Sequence, residues 1–135
     1  MNAKYSLSHK SEEPENGVLY IVGTPIGNLA DISFRALNIF KKVSLIACED
    51  TRQTRKIMTK FEFRNNLTSF NKHNSKKKIP QIISDLNLGK SIAVVSDAGM
   101  PSICDPGEDL IKEARSNGIN VICIPGACAA ITALV

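Results

Sequence analysis

No apolar run in this 135-residue sequence approaches the length that would span a bilayer, and nothing in it resembles a signal peptide. A membrane partner is therefore not expected, and the expected location is the cytoplasm. Histidine is scarce: His9 and His73 are the only two. The four cysteines (Cys48, Cys104, Cys123, Cys128) lack paired metal-ligand spacing, so no metal site is expected and free, buried thiols are the simplest account. No Gly-Lys-Ser/Thr follows any glycine loop, which excludes a phosphate-binding P-loop. Gly23-Thr24-Pro25-Ile26-Gly27 has the wrong glycine pattern for a dinucleotide fingerprint. No serine or cysteine has a His and Asp framework around it.

What is present is a core. Hydrophobic residues make up 43% of the chain, enough for one compact domain. Continuous apolar runs read as buried parallel strands at Val18–Gly23, Ser44–Cys48, Leu67–Phe70, Ser91–Val95 and Asn120–Ile124. Helical spacing lies between them. Asp31 can cap a helix carrying Ile32, Ala36, Leu37 and Phe40, and Thr54, Ile57, Met58 and Phe61 share the face of a second. Asn71–Lys78 reads as a basic loop before a third helix with Ile79, Ile82, Ile83 and Leu86 inward, Pro80 in its first turn and Gly89 at its close. A fourth starts at Asp105-Pro106, with Asp105 as cap, and stops at Gly118. Alternating strands and helices predict an α/β domain with a mainly parallel five-stranded sheet and flanking helices. Residues 1–16 read as a loose tail and 17–135 as that domain. A small-residue helix begins at Ala127, and the chain ends within its periodicity, as expected of a fragment.

Charge is unevenly placed. From Arg52 to Lys78 there are nine Lys or Arg against one acid, Glu62, whereas the remainder holds eight against twelve. Positive charge confined to one segment points to an anionic partner, nucleic acid first, and its bland reading is a solvated helix face with a lysine-rich loop. The loops after the first, fourth and fifth strands carry Gly and Pro without positive charge, which lets backbone approach a ligand closely. In an open parallel sheet, ligands gather at these carboxyl ends. They suit a flat, neutral or cationic ligand better than a triphosphate.

Four linked stretches carry a resemblance. Leu19-Tyr20-Ile21-Val22-Gly23-Thr24-Pro25-Ile26-Gly27-Asn28-Leu29, Glu49-Asp50-Thr51-Arg52, Ser96-Asp97-Ala98-Gly99 with Pro101 and Asp105-Pro106-Gly107, and Ile124-Pro125-Gly126 follow in the order and spacing of one family. From about Val18 onward the chain resembles the small-subunit ribosomal RNA methyltransferase I family of the tetrapyrrole methylase superfamily. The resemblance implies methyl transfer from S-adenosylmethionine to the ribose 2′-hydroxyl of a cytidine in the decoding region of 16S rRNA. The small ribosomal subunit would be the partner, and the cofactor would lie between this domain and a C-terminal one absent from the chain.

By position, the resemblance implies that Pro25, Ile26, Asp97, Ala98, Gly99, Ser102, Cys128 and Ala129 line the cofactor. Glu49, Asp50, Arg52 and the basic stretch, with Arg55, Lys56, His73 and Asn74, would face RNA. The family usually has Thr where Met100 stands, Ser at Cys104, and Pro-Ser at Ala127-Cys128. Chemically, a ribose hydroxyl needs a positioned base or good alignment toward the sulfonium. Asp50 or Glu49 can accept that proton; equally, both can serve only to orient Arg52 or cap the next helix. Asp97 can hold cofactor hydroxyls or cap its own turn. Two other functions stay open, a non-catalytic RNA-binding module and a tetrapyrrole methylase. A homodimer is open as well.

Overall fold

The computed structural model describes residues 12–101 and 106–135. Five strands form one sheet: β1 (Leu19–Val22), β2 (Leu45–Cys48), β3 (Leu67–Ser69), β4 (Ile92–Val95) and β5 (Val121–Ile124). Their order is β3-β2-β4-β1-β5 and every pairing is parallel, with Ile21 opposite both Val94 and Cys123, and Cys48 opposite both Val95 and Ser69. The helices are α1 (Phe34–Lys42), α2 (Thr51–Lys60), α3 (Ser75–Asn87), α4 (Gly107–Ser116) and α5 (Ala129–Leu134). No helix among the described residues is long and apolar enough to cross a membrane.

Alternation along the strands divides the core in two. Tyr20, Val22, Ile46, Cys48, Ala93, Val95 and Ile124 meet α1 and α2 through Ala36, Ile39, Phe40 and Ile57. Leu19, Ile21, Ala47, Ile92 and Val94 meet α3 and α4 through Ile82, Ile83, Leu86, Leu110 and Ala114 on the other face. Burial on both faces explains why β1 and β4 read as unbroken apolar runs rather than alternating ones. The same division fixes where loops part. The helix after β4 lies on one face, and the helices after its neighbours β2 and β1 lie on the other. Loops on either side of the carboxyl end of β4 therefore lead to helices on opposite faces, and open parallel sheets form their ligand crevice at such a point.

Several local expectations need correcting. Ser33, not Asp31, caps α1: its hydroxyl accepts from the Ala36 amide at 3.0 Å. Asp31 instead ends a single 3-10 turn, Leu29–Asp31, capped by Asn28. Ile32 lies outside α1, between the two. The third helix begins at Ser75, so Lys76, Lys77 and Lys78 are helical and Pro80 lies inside the helix rather than in its first turn. The amide that Lys76's carbonyl would accept is missing there. Asp105 lies outside the described residues, and Pro106 occupies the cap position of α4 without a side-chain cap bond. Gly89 and Gly118 do close their helices, with φ of +92° and +72°.

The thiols are not all buried. Cys48 is, Cys128 is half-buried, and Cys123 is exposed on edge strand β5. Of the stretch expected as a tail, residues 1–11 lie outside the described set. Glu13, however, holds Arg35 of α1 through two bonds of 2.6 and 2.8 Å, its carbonyl accepts from Asn38, and the Tyr20 hydroxyl accepts from the Glu15 amide.

Candidate functional site

Because the sheet is wholly parallel, the loops after all five strands emerge at one edge. Three of them are knotted together above β1, β4 and β5. Thr24 and Gly99 form an antiparallel bridge, Thr24 donating to the Gly99 carbonyl at 2.9 Å and Gly99 returning the bond at 3.0 Å. The Thr24 hydroxyl, buried beneath, points to the Gly99 and Ser96 carbonyls at 3.4 Å. Gly23 and Gly126 touch backbone to backbone. A Cβ on Gly23 would stand 2.6 Å from the Gly126 Cα and from the Met100 sulfur, so neither glycine can carry a side chain without moving a loop.

Gly99 has φ +79° and room for a Cβ, 3.5 Å from the Ala127 carbonyl and 3.6 Å from the Ile26 side chain. Its requirement for glycine is conformational rather than steric. Ile26, Gly99 and Ala127 are thus neighbours, which gathers three of the stretches expected to line a cofactor. Pro25 is buried beside Ile26, and Ala98 is exposed on the β4 loop. Cys128 and Ala129 open α5, Cys128 in the cap position without a side-chain bond. Ser102 lies outside the described residues.

The loops after β2 and β4 are clasped by carboxylates. Glu49 accepts from the Asp97 amide at 3.2 Å, and Asp97 accepts from the Asp50 amide at 3.0 Å. Asp97 therefore reaches across to the β2 loop and does not cap its own turn. Partial burial raises its carboxyl above the ordinary value, and the charges of Glu49 and Asp50 add to that. Asp50 behaves oppositely. It caps α2 through the Arg52 amide at 2.9 Å and pairs with the Arg52 guanidinium at 2.8 Å, and these bonds hold its pKa below the ordinary value. Burial pushes the Cys48 thiol up, away from the reactive range.

The expected RNA-facing residues divide into two groups. Arg52, Arg55 and Lys56 share one exposed face of α2, at i, i+3 and i+4. His73 and Asn74 belong to the loop after edge strand β3. His73 is exposed there, but the Asn74 side chain is spent inside the protein, accepting from Asn71 and donating to the Ser69 carbonyl and hydroxyl. The residues that sequence reasoning missed are Thr24, Gly23 and Gly126. Their signal was their place in the Gly- and Pro-bearing stretches just past the first and fifth strands, though no role was assigned to them there.

The crevice suits a flat, cationic group. Asp97, Glu49 and Asp50 stand on one side, small backbone-rich loops on the other, and no Lys or Arg occurs in residues 23–28, 96–101 or 124–128.

The chain is also similar to known proteins. The family model for Tetrapyrrole (Corrin/Porphyrin) Methylases matches residues 18–135. Ribosomal RNA small subunit methyltransferase I from Halalkalibacterium halodurans is 49% identical over 124 residues, covering 92% of this chain and 43% of the relative. The protein of that name from Buchnera aphidicola is 53% identical over 118 residues, covering 87% and 42%. The one from Escherichia coli O157:H7 is 48% identical over 126 residues, covering 93% and 44%. The chain thus spans less than half the length of these relatives. Among solved structures, a uroporphyrin-III-C-methyltransferase from Thermus thermophilus superposes with a TM-score of 0.66 at 19% identity, over 87% of this chain and 50% of that one, which is a likeness of fold. With its doubly wound sheet, its knotted carboxyl-end loops and a family match from Val18 to Val135, the chain belongs to the tetrapyrrole (corrin/porphyrin) methylase family.

Proposed function

We propose that residues 17–135 are the N-terminal, cofactor-binding part of an S-adenosylmethionine-dependent methyltransferase that acts on the ribose 2′-hydroxyl of a cytidine in 16S rRNA, in the decoding region of the small ribosomal subunit. The observation that carries this reading is the pairing of an anionic, backbone-lined crevice with a cationic helix leading away from it. It is supported by the 48–53% identity to ribosomal RNA small subunit methyltransferases I.

In this reading Pro25, Ile26, Asp97, Ala98 and Gly99, with Ser102, Cys128 and Ala129, hold S-adenosylmethionine, whose sulfonium supplies an electrophilic methyl group. The three carboxylates favour that cation, and small loops let main-chain groups reach the adenosine. Asp50 is committed to its cap and to Arg52. Glu49 spends one oxygen on the Asp97 amide and has no partner for the other among the described residues, so it is the better placed to take the ribose proton. Arg52, Arg55 and Lys56 of α2 and His73 meet the RNA backbone, while Asn74 shapes the His73 loop. The substrate implies a cytoplasmic location. A homodimer remains part of the proposal, tested by sedimentation.

Calorimetry with S-adenosylmethionine and a methylation map of 16S rRNA from a deletion strain test the reading together. Binding, plus loss of one cytidine ribose methyl, is expected. RNA binding without cofactor binding would instead leave a non-catalytic RNA-binding module, and methylation of a tetrapyrrole but not of rRNA would give the function to the wider family.

A further inference from the structure

Past the end of α2 lies an open groove of about 690 Å³, lined by Arg55, Met58, Thr59, Glu62, Phe63 and Arg64. Three features set it apart from a solvated helix end. First, its floor is apolar: Phe63 and Met58 are half-buried, and Phe63 packs on the core beneath α1 and α2. Second, its rim carries two guanidinium groups. Arg64 has no hydrogen bond or ion pair among the described residues, and Arg55 has only a 3.5 Å bond to the Thr51 hydroxyl. Third, an exposed acid stands among these groups: Glu62, at the left-handed position (φ +54°) with which α2 ends.

Glu62 is also the single acid between Arg52 and Lys78, yet it pairs with neither arginine of its groove. A carboxylate with no ion pair among the described residues, lining one groove with an aromatic ring and two cations, has the makings of a base-reading site. The aromatic ring offers a stacking surface and the guanidinium groups offer phosphate contacts. The carboxylate accepts from an amino group. Position agrees as well. Arg52, at the crevice end of α2, and Lys60, at its far end, are about 12 Å apart along the helix axis. The groove would thus meet a nucleotide flanking the reacting one, with Arg52, Arg55 and Lys56 along the way.

We propose that this groove holds an unpaired RNA base bearing an exocyclic amino group, Glu62 accepting from that group over Phe63 while Arg55 and Arg64 meet the flanking phosphates. The proposal rests on the RNA-binding reading above.

The test uses short oligocytidylate, oligoadenylate, oligoguanylate and oligouridylate, with fluorescence anisotropy on the wild type, Glu62→Gly and Arg64→Ala. Wild type should bind at least one amino-bearing oligomer about tenfold tighter than oligouridylate, which has no amino group. Glu62→Gly should unfold at a higher temperature, because glycine suits the left-handed position, and should lose the discrimination. A purely structural Glu62 would show the first effect without the second. Arg64→Ala should weaken all oligomers alike and flatten the salt dependence. RNA binding that does not discriminate in the wild type, or that discriminates equally well in Glu62→Gly, overturns the groove and leaves the proposed function standing. If no RNA binds at all, both fail.

Discussion

Thr24 and Gly99, 75 residues apart in sequence, exchange two main-chain hydrogen bonds of 2.9 and 3.0 Å. This bridge ties the loop after β1 to the loop after β4. The Gly23–Gly126 contact adds the loop after β5 to the same knot. These backbone bonds join the loops of two adjacent strands, which pre-organises the main chain at Thr24 and Gly99 for a ligand.

The glycines of the knot should therefore fail in different ways. Gly27→Ala has φ +94° and nothing near its Cβ, so it should cost only backbone strain, about 1–2 kcal/mol. Gly99→Ala should cost a similar amount, because its Cβ also has room. Gly99→Val should cost more and should abolish S-adenosylmethionine binding. Gly23→Ala and Gly126→Ala should be worse than either alanine variant above, since each Cβ would fall within 2.7 Å of main chain that must separate. Thermal melts rank the set, and Gly23→Ala melting with Gly27→Ala would refute the close approach.

The carboxylates should titrate on opposite sides of the ordinary aspartate value of 3.8. Asp50, lowered by Arg52, contributes stability that is present above 3.8 and lost as pH falls through its depressed pKa. Asp97, raised by burial and by Glu49, contributes the reverse: its penalty appears as pH rises from 3.8 through its raised pKa. Glu49→Gln keeps the acceptor for the Asp97 amide and removes one charge. It should lower the Asp97 pKa, though not to 3.8, because burial is the larger cause. Arg52→Ala should raise the Asp50 pKa. Carboxyl-carbon NMR titrations read all three, and an unmoved Asp97 in Glu49→Gln would show that the two charges do not interact.

Much of the fold was legible because its signals are local. Apolar runs located all five strands within a residue or so at each end, and Gly89 and Gly118 marked true helix stops. The misreadings arose where two local signals competed. Asp31 suggested a cap, but it is taken up in the 3-10 turn Leu29–Asp31, and Ser33 caps α1 instead. Pro80 suggested a late helix start, whereas the Asn71–Asn74 turn begins α3 five residues earlier. The strand-end loops were legible as ligand-facing from their Gly and Pro content. Their fastenings were not, since Glu49 to Asp97, Thr24 to Gly99 and Gly23 to Gly126 are contacts between strands that are neighbours in the sheet but far apart in sequence, which no periodicity announces.

Capping can be checked directly. Ser33→Ala should destabilise the protein by about 1 kcal/mol, because the Ala36 amide loses its acceptor. Asp31→Ala should lie within about 0.5 kcal/mol of wild type, as expected of an exposed residue with no cap to lose. Denaturant midpoints compare the two, and an equal loss in both would return the cap to Asp31.

Reversing charge at Arg52 and Arg55 should weaken RNA binding while leaving S-adenosylmethionine affinity nearly intact. Both residues stand on the exposed face of α2, outside the knot of Gly and Pro loops, and the Arg52 side chain is 82% exposed. Unfolding is a poor explanation for such a loss. Arg52 sits in the first turn of α2, where an acid suits the helix dipole better than a base, so Arg52→Glu does not oppose the helix. It does break the pair with Asp50, but Asp50 keeps its cap bond to the residue 52 amide. Each lost phosphate contact should reduce the slope of log affinity against log salt by about 0.7 to 0.9. An unchanged slope in the double variant would remove α2 from the RNA site. A matching loss of S-adenosylmethionine affinity would instead make the helix part of the cofactor crevice.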